Sequence, residues 1–320
     1  HVGYMTRPWD EIAHGVTTVI TTQPWSAGAA LRLMVDEAVT VGQGVPTQWA
    51  LVLAHPDFDT ADLSSLRVAG TGAARVPPEL VREMRRRLGC PVVVRYTSTE
   101  TSLGTGTRPG DPDDVVATTV GRPVAGVELE VVDDDGSVVE RGGVGRVRIR
   151  SGAAMRGYMA PRPGPHGGIP IDDGATGAVL DAAGWITTGD LGWIGDDGNL
   201  RLVGRVTEMY IRGGYNVYPA EVEGVLGLHP GVAEAAVVGV GDPVLGEIGT
   251  AFVVPAGEPA PSLAELREWC AGRLADYKSP DRLELVDSLP LTAMGKIDKQ
   301  ALRTTAAGDR PLQPSTRGAR

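Results

Sequence analysis

The chain has 320 residues, of which 42% are hydrophobic and 22% are charged, and its formal net charge is −10. This composition is typical of a globular protein with one large or two ordinary domains. The acidic charge argues against nucleic acid or an anionic membrane as the main partner. No apolar run reaches the roughly 18 residues of a membrane span. Two distant cysteines, Cys90 and Cys270, exclude a disulfide framework and indicate a reducing, cytoplasmic location.

The first 120 residues have the pattern of an α/β domain. Ser26 stands in the N-cap position before apolar residues at helical spacing. Pro77 and Pro78 open a second helix, which is predicted over residues 79–88. The β-branched run at residues 92–94 predicts a buried strand. Helices and a buried strand in this order indicate part of a larger α/β domain.

The pattern changes to alternating apolar and polar residues from Gly121 onward. Such alternation predicts half-buried strands. Hairpin turns are expected at residues 133–136 and 196–198, where aspartates precede glycine. Residues 160–184, rich in Gly, Pro and Asp, are expected to form a surface loop. We therefore predict a small antiparallel β subdomain over residues 121–206.

A compact α+β domain is predicted over residues 207–305. Its elements in chain order are a helix over residues 221–226, strands over 232–240 and 248–254, a helix over 262–275 and a strand over 283–286. Ser262 and Glu265 form a capping box at the start of the second helix. Residues 306–320 are small and polar, with Pro and Arg, and are predicted to be a disordered tail.

Several motifs follow one another in a distinctive order. Residues 96–100 read Tyr-Thr-Ser-Thr-Glu, residues 185–190 read Trp-Ile-Thr-Thr-Gly-Asp, residues 202–205 read Leu-Val-Gly-Arg, residues 211–223 begin Ile-Arg-Gly-Gly-Tyr-Asn, and residues 290–296 read Pro-Leu-Thr-Ala-Met-Gly-Lys. Together they resemble the acyl-adenylate-forming family of acyl-CoA synthetases, luciferase-like enzymes and peptide-synthetase adenylation domains. The resemblance runs to about Arg303. It implies the rear part of a large α/β domain with its β subdomain, followed by a mobile C-terminal domain.

The resemblance assigns ATP contacts to residues 96–100. It implies that Tyr96 stacks on adenine, that Thr99 bonds the α-phosphate and that Glu100 holds Mg²⁺. A single carboxylate beside phosphate oxygens suits Mg²⁺. Thr97 replaces the glycine that is usual in the family, so the space beside the phosphate or the acyl carbonyl is expected to be narrower.

A second group of small residues resembles the loop that borders adenine and the acyl pocket. Residues 70–74, predicted to follow a strand over residues 66–68, place Gly72 and Ala73 beside the nucleotide and Gly70 beside the acyl group. Glycine permits the close approach of a flat ring. His1 and Gly104 are expected to line other parts of the acyl pocket.

The later motifs resemble the ribose site, the hinge and the CoA contact of the family. Asp190 is expected to accept hydrogen bonds from both ribose hydroxyls, and Arg205 to reach the ribose or a phosphate. Thr207 stands at the expected hinge, where the family often has Asp or Lys, and its β-branched side chain is stiffer. Gly213 and Gly214 are expected to approach the pantetheine arm of CoA.

Lys296 resembles the catalytic lysine that bridges the substrate carboxylate and the α-phosphate. The chain has only two other lysines, Lys278 and Lys299. Its role would be electrostatic, since it offsets the charge of two anions brought together. Taken singly, Lys296 also fits an exposed loop lysine and Asp190 a solvent-facing turn residue, but the order of the motifs favours the functional interpretation.

The sequence therefore predicts an acid–thiol ligase that uses ATP, Mg²⁺ and CoA to convert a carboxylic acid into acyl-AMP and then acyl-CoA. Residues 211–223 most resemble stand-alone fatty-acyl-CoA synthetases, so a fatty acid is expected. The chain begins with His1 and contains no Ser/Thr/Gly-rich phosphate loop ending in Lys, so we expect part of a longer enzyme. Two alternatives remain open: a ligase that loads an aryl or amino acid onto a carrier protein, and a non-catalytic nucleotide-binding remnant.

Overall fold

The computed structural model describes residues 12–21, 24–74, 76–160, 170–292 and 296–308. The chain divides into two compact units. The first comprises His1–Thr188 and Gly192–Leu202, and the second comprises Gly189–Leu191 and Val203–Arg320. The sequence-based regions 1–120 and 121–206 fall largely into the first unit, and the domain bounds expected from the sequence stay predictions.

The first unit contains a five-stranded sheet with helices packed on it. Its strands are β1 (Val41–Gly44), β2 (Val68–Gly72), β3 (Val92–Ser98), β4 (Ser102–Gly106) and β5 (Arg122–Pro123), in that spatial order. β1, β2 and β3 are parallel, whereas β4 and β5 pair antiparallel. The helices are α1 (Ala27–Asp36), α2 (Pro46–Leu53), α3 (Pro78–Leu88) and α4 (Asp113–Thr118).

Local signals explain the ends of these helices. The Ser26 hydroxyl accepts a hydrogen bond from the Ala29 amide at 3.2 Å, which confirms the predicted N-cap of α1. α3 begins at Pro78 and ends at Gly89, whose φ of 65° is the left-handed conformation that glycine adopts without steric cost. The apolar faces of the helices meet β2 and β3 in a core that includes Trp49, Val52, Val81, Met84, Val92 and Val94.

The first unit also carries most of the predicted β subdomain. Strands β6 (Val127–Val132), β7 (Gly145–Ser151), β8 (Ile186–Ile194) and β9 (Leu200–Arg205) form one sheet in that order. The turn predicted at residues 196–198 joins β8 to β9, and the Gly195 amide donates to the Asn199 carbonyl at 3.1 Å. The loop predicted over residues 160–184 contains a short helix, α5 (Asp173–Gly177), because Asp172 caps it. Residues 161–169 lie outside the described residues.

The second unit is an α+β fold, as the sequence predicts. Its elements are β10 (Tyr210–Arg212), β11 (Tyr215–Val217), α6 (Pro219–Leu226), β12 (Val232–Asp242), β13 (Gly246–Pro255), α7 (Leu263–Ala271), β14 (Arg282–Leu285) and α8 (Lys299–Ala306). The sheet order is β11-β10-β13-β12, and β14 pairs parallel to β13. The Ser262–Glu265 capping box is confirmed.

Two expectations about this unit need correction or lie beyond the description. α7 ends at Ala271 and not at residue 275, because Gly272 occupies its C-cap position and glycine disfavours helix continuation. The predicted tail begins inside α8, which runs to Ala306, and residues 309–320 lie outside the described residues. Among the described residues, no helix has the length and apolar character needed to cross a membrane.

Candidate functional site

The Tyr-Thr-Ser-Thr-Glu motif forms a hairpin between β3 and β4. The sequence places a loop directly after Val94, but Tyr96, Thr97 and Ser98 belong to β3, since Thr97 pairs with Leu103 and Ser98 with Ser102. Thr99 and Glu100 lie in the turn. The Ser98 hydroxyl accepts a hydrogen bond from the Thr101 amide at 3.0 Å, which fixes the turn. The hairpin therefore presents the Thr99 hydroxyl and the Glu100 carboxylate at its tip.

Glu100 is held from two sides by the segment that follows β7. The Tyr158 hydroxyl donates to Glu100 Oε1 at 2.9 Å, and the Met155 amide donates to the Glu100 carbonyl at 2.7 Å. Burial, together with the hydrogen bond to Glu100, raises the pKa of Tyr158, so the hydroxyl stays a donor. Sequence analysis missed Tyr158, because no local signal links it to a carboxylate 58 positions away.

Tyr96 and Gly104 face the apolar side of the second sheet. The Tyr96 side chain is only 8% exposed and packs in a cluster with Val131, Val147 and Ile149. A Cβ atom added to Gly104 would lie 2.6 Å from Ile149 Cδ1. Protein therefore covers most of the Tyr96 ring, and Ile149 fills the space beside Gly104. The adenine and acyl-pocket roles of these two residues stay predictions.

The small residues at positions 70–73 lie at the end of β2 rather than in a loop. Gly70 pairs with Gln43 on one side and Val93 on the other, so the ladder extends the strand to Gly72. A Cβ on Gly72 would collide with the Arg95 carbonyl oxygen. Ala73 then takes a φ of 63° as the chain leaves the sheet. Close strand packing thus accounts for these small residues, and their nucleotide contacts stay predictions.

Asp190 and Arg205 lie together in the second unit. The Arg205 Nε donates to Asp190 Oδ1 at 3.0 Å. The Asp190 side chain is 13% exposed, whereas that of Arg205 is 58% exposed. The Val206 amide, directly after β9, donates to the carbonyl of Gly189 within β8 at 2.9 Å and holds the two segments together. The two residues predicted to bind the ribose therefore form one charged pair.

Gly213 and Gly214 form the two-residue turn between β10 and β11. Their φ values of 56° and 87° are those of a type I′ turn, which needs residues that tolerate positive φ. The Gly213 amide donates to the Leu245 carbonyl at 2.8 Å. No described atom lies within 4 Å of a Cβ added to Gly214. The turn alone explains both glycines, and the CoA contact stays a prediction.

The three lysines differ in their partners. Lys278 Nζ lies 2.7 Å from both carboxylate oxygens of Glu221. Lys299 Nζ lies 2.6 Å from Glu208 Oε2 and 2.8 Å from Glu223 Oε1. Lys296 is exposed, and its ammonium group forms no ion pair with any described residue. Lys296 is thus the one lysine whose charge the described part of the protein does not neutralise.

The remaining candidates are placed as follows. Thr207 lies two residues after the end of β9, and its carbonyl accepts a hydrogen bond from Arg303 Nη2 at 3.3 Å. His1 lies outside the described residues, as do Ala293, Met294 and Gly295, which precede Lys296 in the sequence. The first unit thus carries Thr99, Glu100 and Tyr158, and the second carries Asp190, Arg205 and Lys296.

Comparison with known proteins identifies two regions of the chain. Residues 5–159 match the family of AMP-binding enzymes, and residues 221–296 match the AMP-binding enzyme C-terminal domain. The chain belongs to the AMP-binding enzyme family. The family that the sequence motifs resemble is therefore confirmed, and the roles of the individual motif residues stay predictions.

Relatives of this AMP-binding enzyme include ligases and a synthetase. It is 43% identical over 276 residues to the 3-[(3aS,4S,7aS)-7a-methyl-1,5-dioxo-octahydro-1H-inden-4-yl]propanoyl:CoA ligase of Mycobacterium tuberculosis, covering 86% of this chain and 50% of the relative. It is 36% identical over 308 residues to the indoleacetate–CoA ligase of Aromatoleum aromaticum, covering 96% and 58%. The chain therefore spans about half the length of the curated relatives it matches.

A solved structure confirms the fold class. The amide bond synthetase McbA from Marinactinospora thermotolerans superposes with a TM-score of 0.80 at 36% sequence identity, covering 89% of this chain and 56% of that one. The α/β fold predicted from the sequence is therefore that of the AMP-binding family.

Proposed function

We propose that this AMP-binding enzyme activates a carboxylic acid with ATP to form acyl-AMP and pyrophosphate, and then transfers the acyl group to the thiol of CoA with release of AMP. The observation that carries the proposal is that Lys296, in its Gly-Lys motif, is exposed and forms no ion pair with a described residue, whereas both other lysines are held by glutamates. An unpaired ammonium is suited to offset the charge of a carboxylate and a phosphate brought together.

Within each unit, taken by itself, the described side chains are suited to contacts with the nucleotide. The Asp190 carboxylate, oriented by Arg205, is suited to accept hydrogen bonds from ribose hydroxyls. The Thr99 hydroxyl at the hairpin tip is suited to donate to the α-phosphate. Because Tyr158 holds Oε1 of Glu100, this carboxylate stays fixed at the tip.

Mg²⁺ fits this arrangement as an ion that arrives with the nucleotide. The described residues contain no group of three or more His, Cys, Asp or Glu that could hold a metal by itself. Mg²⁺ in phosphate-transfer sites needs only one or two carboxylates beside phosphate oxygens and water. Glu100 would supply that carboxylate, and the ion would neutralise phosphate charge.

The acid is proposed to be largely apolar, and a fatty acid is the first candidate. The reaction is proposed to take place in the cytoplasm. Two relatives are CoA ligases for acids with a fused-ring or an indole body. Thr97 stands where the family usually has glycine, so its larger side chain would make the proposed acyl pocket narrower beside the acyl carbonyl. A panel of fatty, ring-bearing and amino acids in a pyrophosphate-release assay distinguishes these substrates.

A second acceptor is the alternative to CoA. The structural relative McbA is an amide bond synthetase, so the acyl-AMP of this family does not always pass to CoA. A carrier-protein thiol is a further acceptor of the same chemistry. Equal acid activation without any CoA-dependent AMP release would favour one of these acceptors over CoA.

Replacement of Asp190 by alanine tests the nucleotide site in the 320-residue chain itself. Loss of hydrogen bonds to a charged acceptor costs about 1.5–3 kcal/mol, so we expect AMP to bind about 10- to 100-fold more weakly. Isothermal calorimetry with AMP gives the measurement.

The matched control for Asp190 is Asp197→Ala. Asp197 also pairs with an arginine, Arg201, at 2.9 Å, but lies in the β8–β9 turn. It should leave AMP affinity unchanged. Unchanged affinity in a folded Asp190→Ala variant would exclude the ribose role, and no AMP binding by the unchanged chain would contradict the proposed function.

A further inference from the structure

We propose that Lys299 is a positioning residue that ties the Lys296 loop to the chain segment at the expected hinge. The ion-pair cluster is defined by Lys299, Glu208 and Glu223. The inference rests on the proposed function in one respect, since that function makes the position of Lys296 important for the formation of acyl-AMP. It concerns contacts within the second unit only.

The cluster joins three elements through one ammonium group. Lys299 opens α8, Glu208 immediately follows Thr207, and Glu223 lies on α6. The exposed fractions of the Lys299, Glu208 and Glu223 side chains are 15%, 26% and 14%. Glu223 Oε1 also accepts a hydrogen bond from the Val237 amide of β12 at 2.8 Å. Glu223 is thus anchored to the sheet, and Glu208 depends on Lys299.

A second contact runs between the same two elements. Arg303, one turn further along α8, donates to the Thr207 carbonyl at 3.3 Å. The helix itself is fixed, because the Leu302 side chain is fully buried and Asp298 caps the first turn by accepting from the Ala301 amide at 3.0 Å. α8 therefore contacts residues 207 and 208 of the same unit through two side chains, Lys299 and Arg303.

The connection from α8 to Lys296 is short. Only Ile297 and Asp298 separate Lys296 from Lys299. The Thr292 amide donates to the Lys296 carbonyl at 2.7 Å, and the Asp298 amide donates to the Pro290 carbonyl at 2.8 Å. The described residues 290–292 and 296–298, which we call the Lys296 loop, are therefore paired with each other directly before the helix begins. A shift of α8 must therefore move this loop and the hinge segment together.

The charges predict which contact opens when Lys299 is neutralised. Without the ammonium, Glu208 and Glu223 face each other as like charges, which is unfavourable. Val237 keeps Glu223 in place, so Glu208 must turn away and release residues 207 and 208. We therefore expect the cluster to open at Glu208, next to Thr207, and not at Glu223. The Lys299 ammonium is already paired with two carboxylates. We therefore assign Lys299 a positioning role, in which it acts on the substrate only through Lys296.

Hydrogen exchange on the whole 320-residue chain tests this coupling without any activity. We expect Lys299→Gln to speed exchange about tenfold, equivalent to ~1.4 kcal/mol, at the Glu208, Met209, Thr292 and Asp298 amides. The first two donate to the Arg205 carbonyl at 3.1 Å, and the others close the Lys296 loop. Lys299→Arg, which keeps the charge, should restore most of the protection.

Lys278→Gln is the matched control, since Lys278 is equally bound to a glutamate but contacts α6 instead of the hinge segment. It should leave the four amides unchanged. If Lys278→Gln and Lys299→Gln speed exchange at the four amides to a similar degree, the effect is general destabilisation and the proposal is overturned.

A second variant changes the other partner of the ion pair, Glu208, because coupling between two positions acts in both directions. Glu208→Gln should speed exchange at Thr292 and Asp298, although Glu208 lies 91 positions from Lys299. A response confined to residues 205–210 overturns the coupling, and this variant decides alone if Lys299→Gln fails to fold. Coupled exchange without AMP binding would contradict the proposed function and leave the coupling standing.

Discussion

Replacing Lys296 by alanine should reduce acid-dependent pyrophosphate release by at least about 100-fold, the usual effect of removing one preorganised stabilising group. The measurement uses a chimaera that joins the part of the Mycobacterium tuberculosis relative that this chain does not match to residues 1–320, because the match covers half of that relative. The acid in the assay is the one the relative's name gives.

The expected loss follows from charge. Adenylation brings a carboxylate against a phosphate, and one ammonium group between them offsets the repulsion. Since Lys296 is exposed and no described carboxylate pairs with it, its removal should cost little folding stability. The effect should therefore appear in the rate and not in the denaturation midpoint.

Two comparisons make the Lys296 experiment specific. Lys278→Ala removes an ion pair with Glu221, so it should lower stability and spare pyrophosphate release. The second half-reaction, from supplied acyl-AMP and CoA, should proceed at nearly the original rate in Lys296→Ala, because the proposed role of this lysine is confined to the step that forms acyl-AMP. An equal loss in both half-reactions would contradict the assignment.

Local signals made the helix ends predictable. Ser26, Gly89 and the Ser262–Glu265 box act through hydrogen bonds and backbone angles within a few residues, so the sequence alone contains the physical cause. The same holds for the hairpin turns, where Asp and Gly meet the local requirements of the backbone. These features fixed the α/β class and the order of the two units' elements.

Long-range pairing was not predictable from such signals. β2 and β3 each run about four residues further than expected, because Gln43 and Ser102 on neighbouring strands supply the ladder partners. The contact of Tyr158 with Glu100 spans 58 positions, and that of Lys299 with Glu208 spans 91. Only the folded chain brings these side chains together.

The candidate site shows the same division. The order of the motifs predicted Glu100, Asp190 and Lys296 as site residues, because their side chains suit a metal ion, a ribose and a pair of anions, respectively. It did not show that Arg205 holds Asp190 or that glutamates neutralise the other two lysines. Those facts distinguish Lys296 from Lys278 and Lys299, and they come from packing.

The 320-residue chain alone should form no acyl-CoA above background. Its sequence contains three lysines, all after residue 277, and no Ser/Thr/Gly-rich loop ending in lysine that would wrap the β- and γ-phosphates. Positioning and electrostatic stabilisation of the phosphates are most of what an ATP-using site supplies. Arginine cannot simply substitute, because its planar group differs from a compact ammonium in shape and hydration.

The test compares the chain with the same chimaera at equal concentration, by AMP formation in the presence of acid, ATP, Mg²⁺ and CoA. The chimaera should produce AMP, whereas the chain should only bind it, through the Asp190 site. This combination separates a missing phosphate site from a misfolded protein, since a misfolded chain would also lose AMP affinity. Robust AMP formation by the chain that requires acid, ATP and CoA would show that residues 1–320 hold the phosphates by other means, with Arg205 and Lys296 as the first groups to examine.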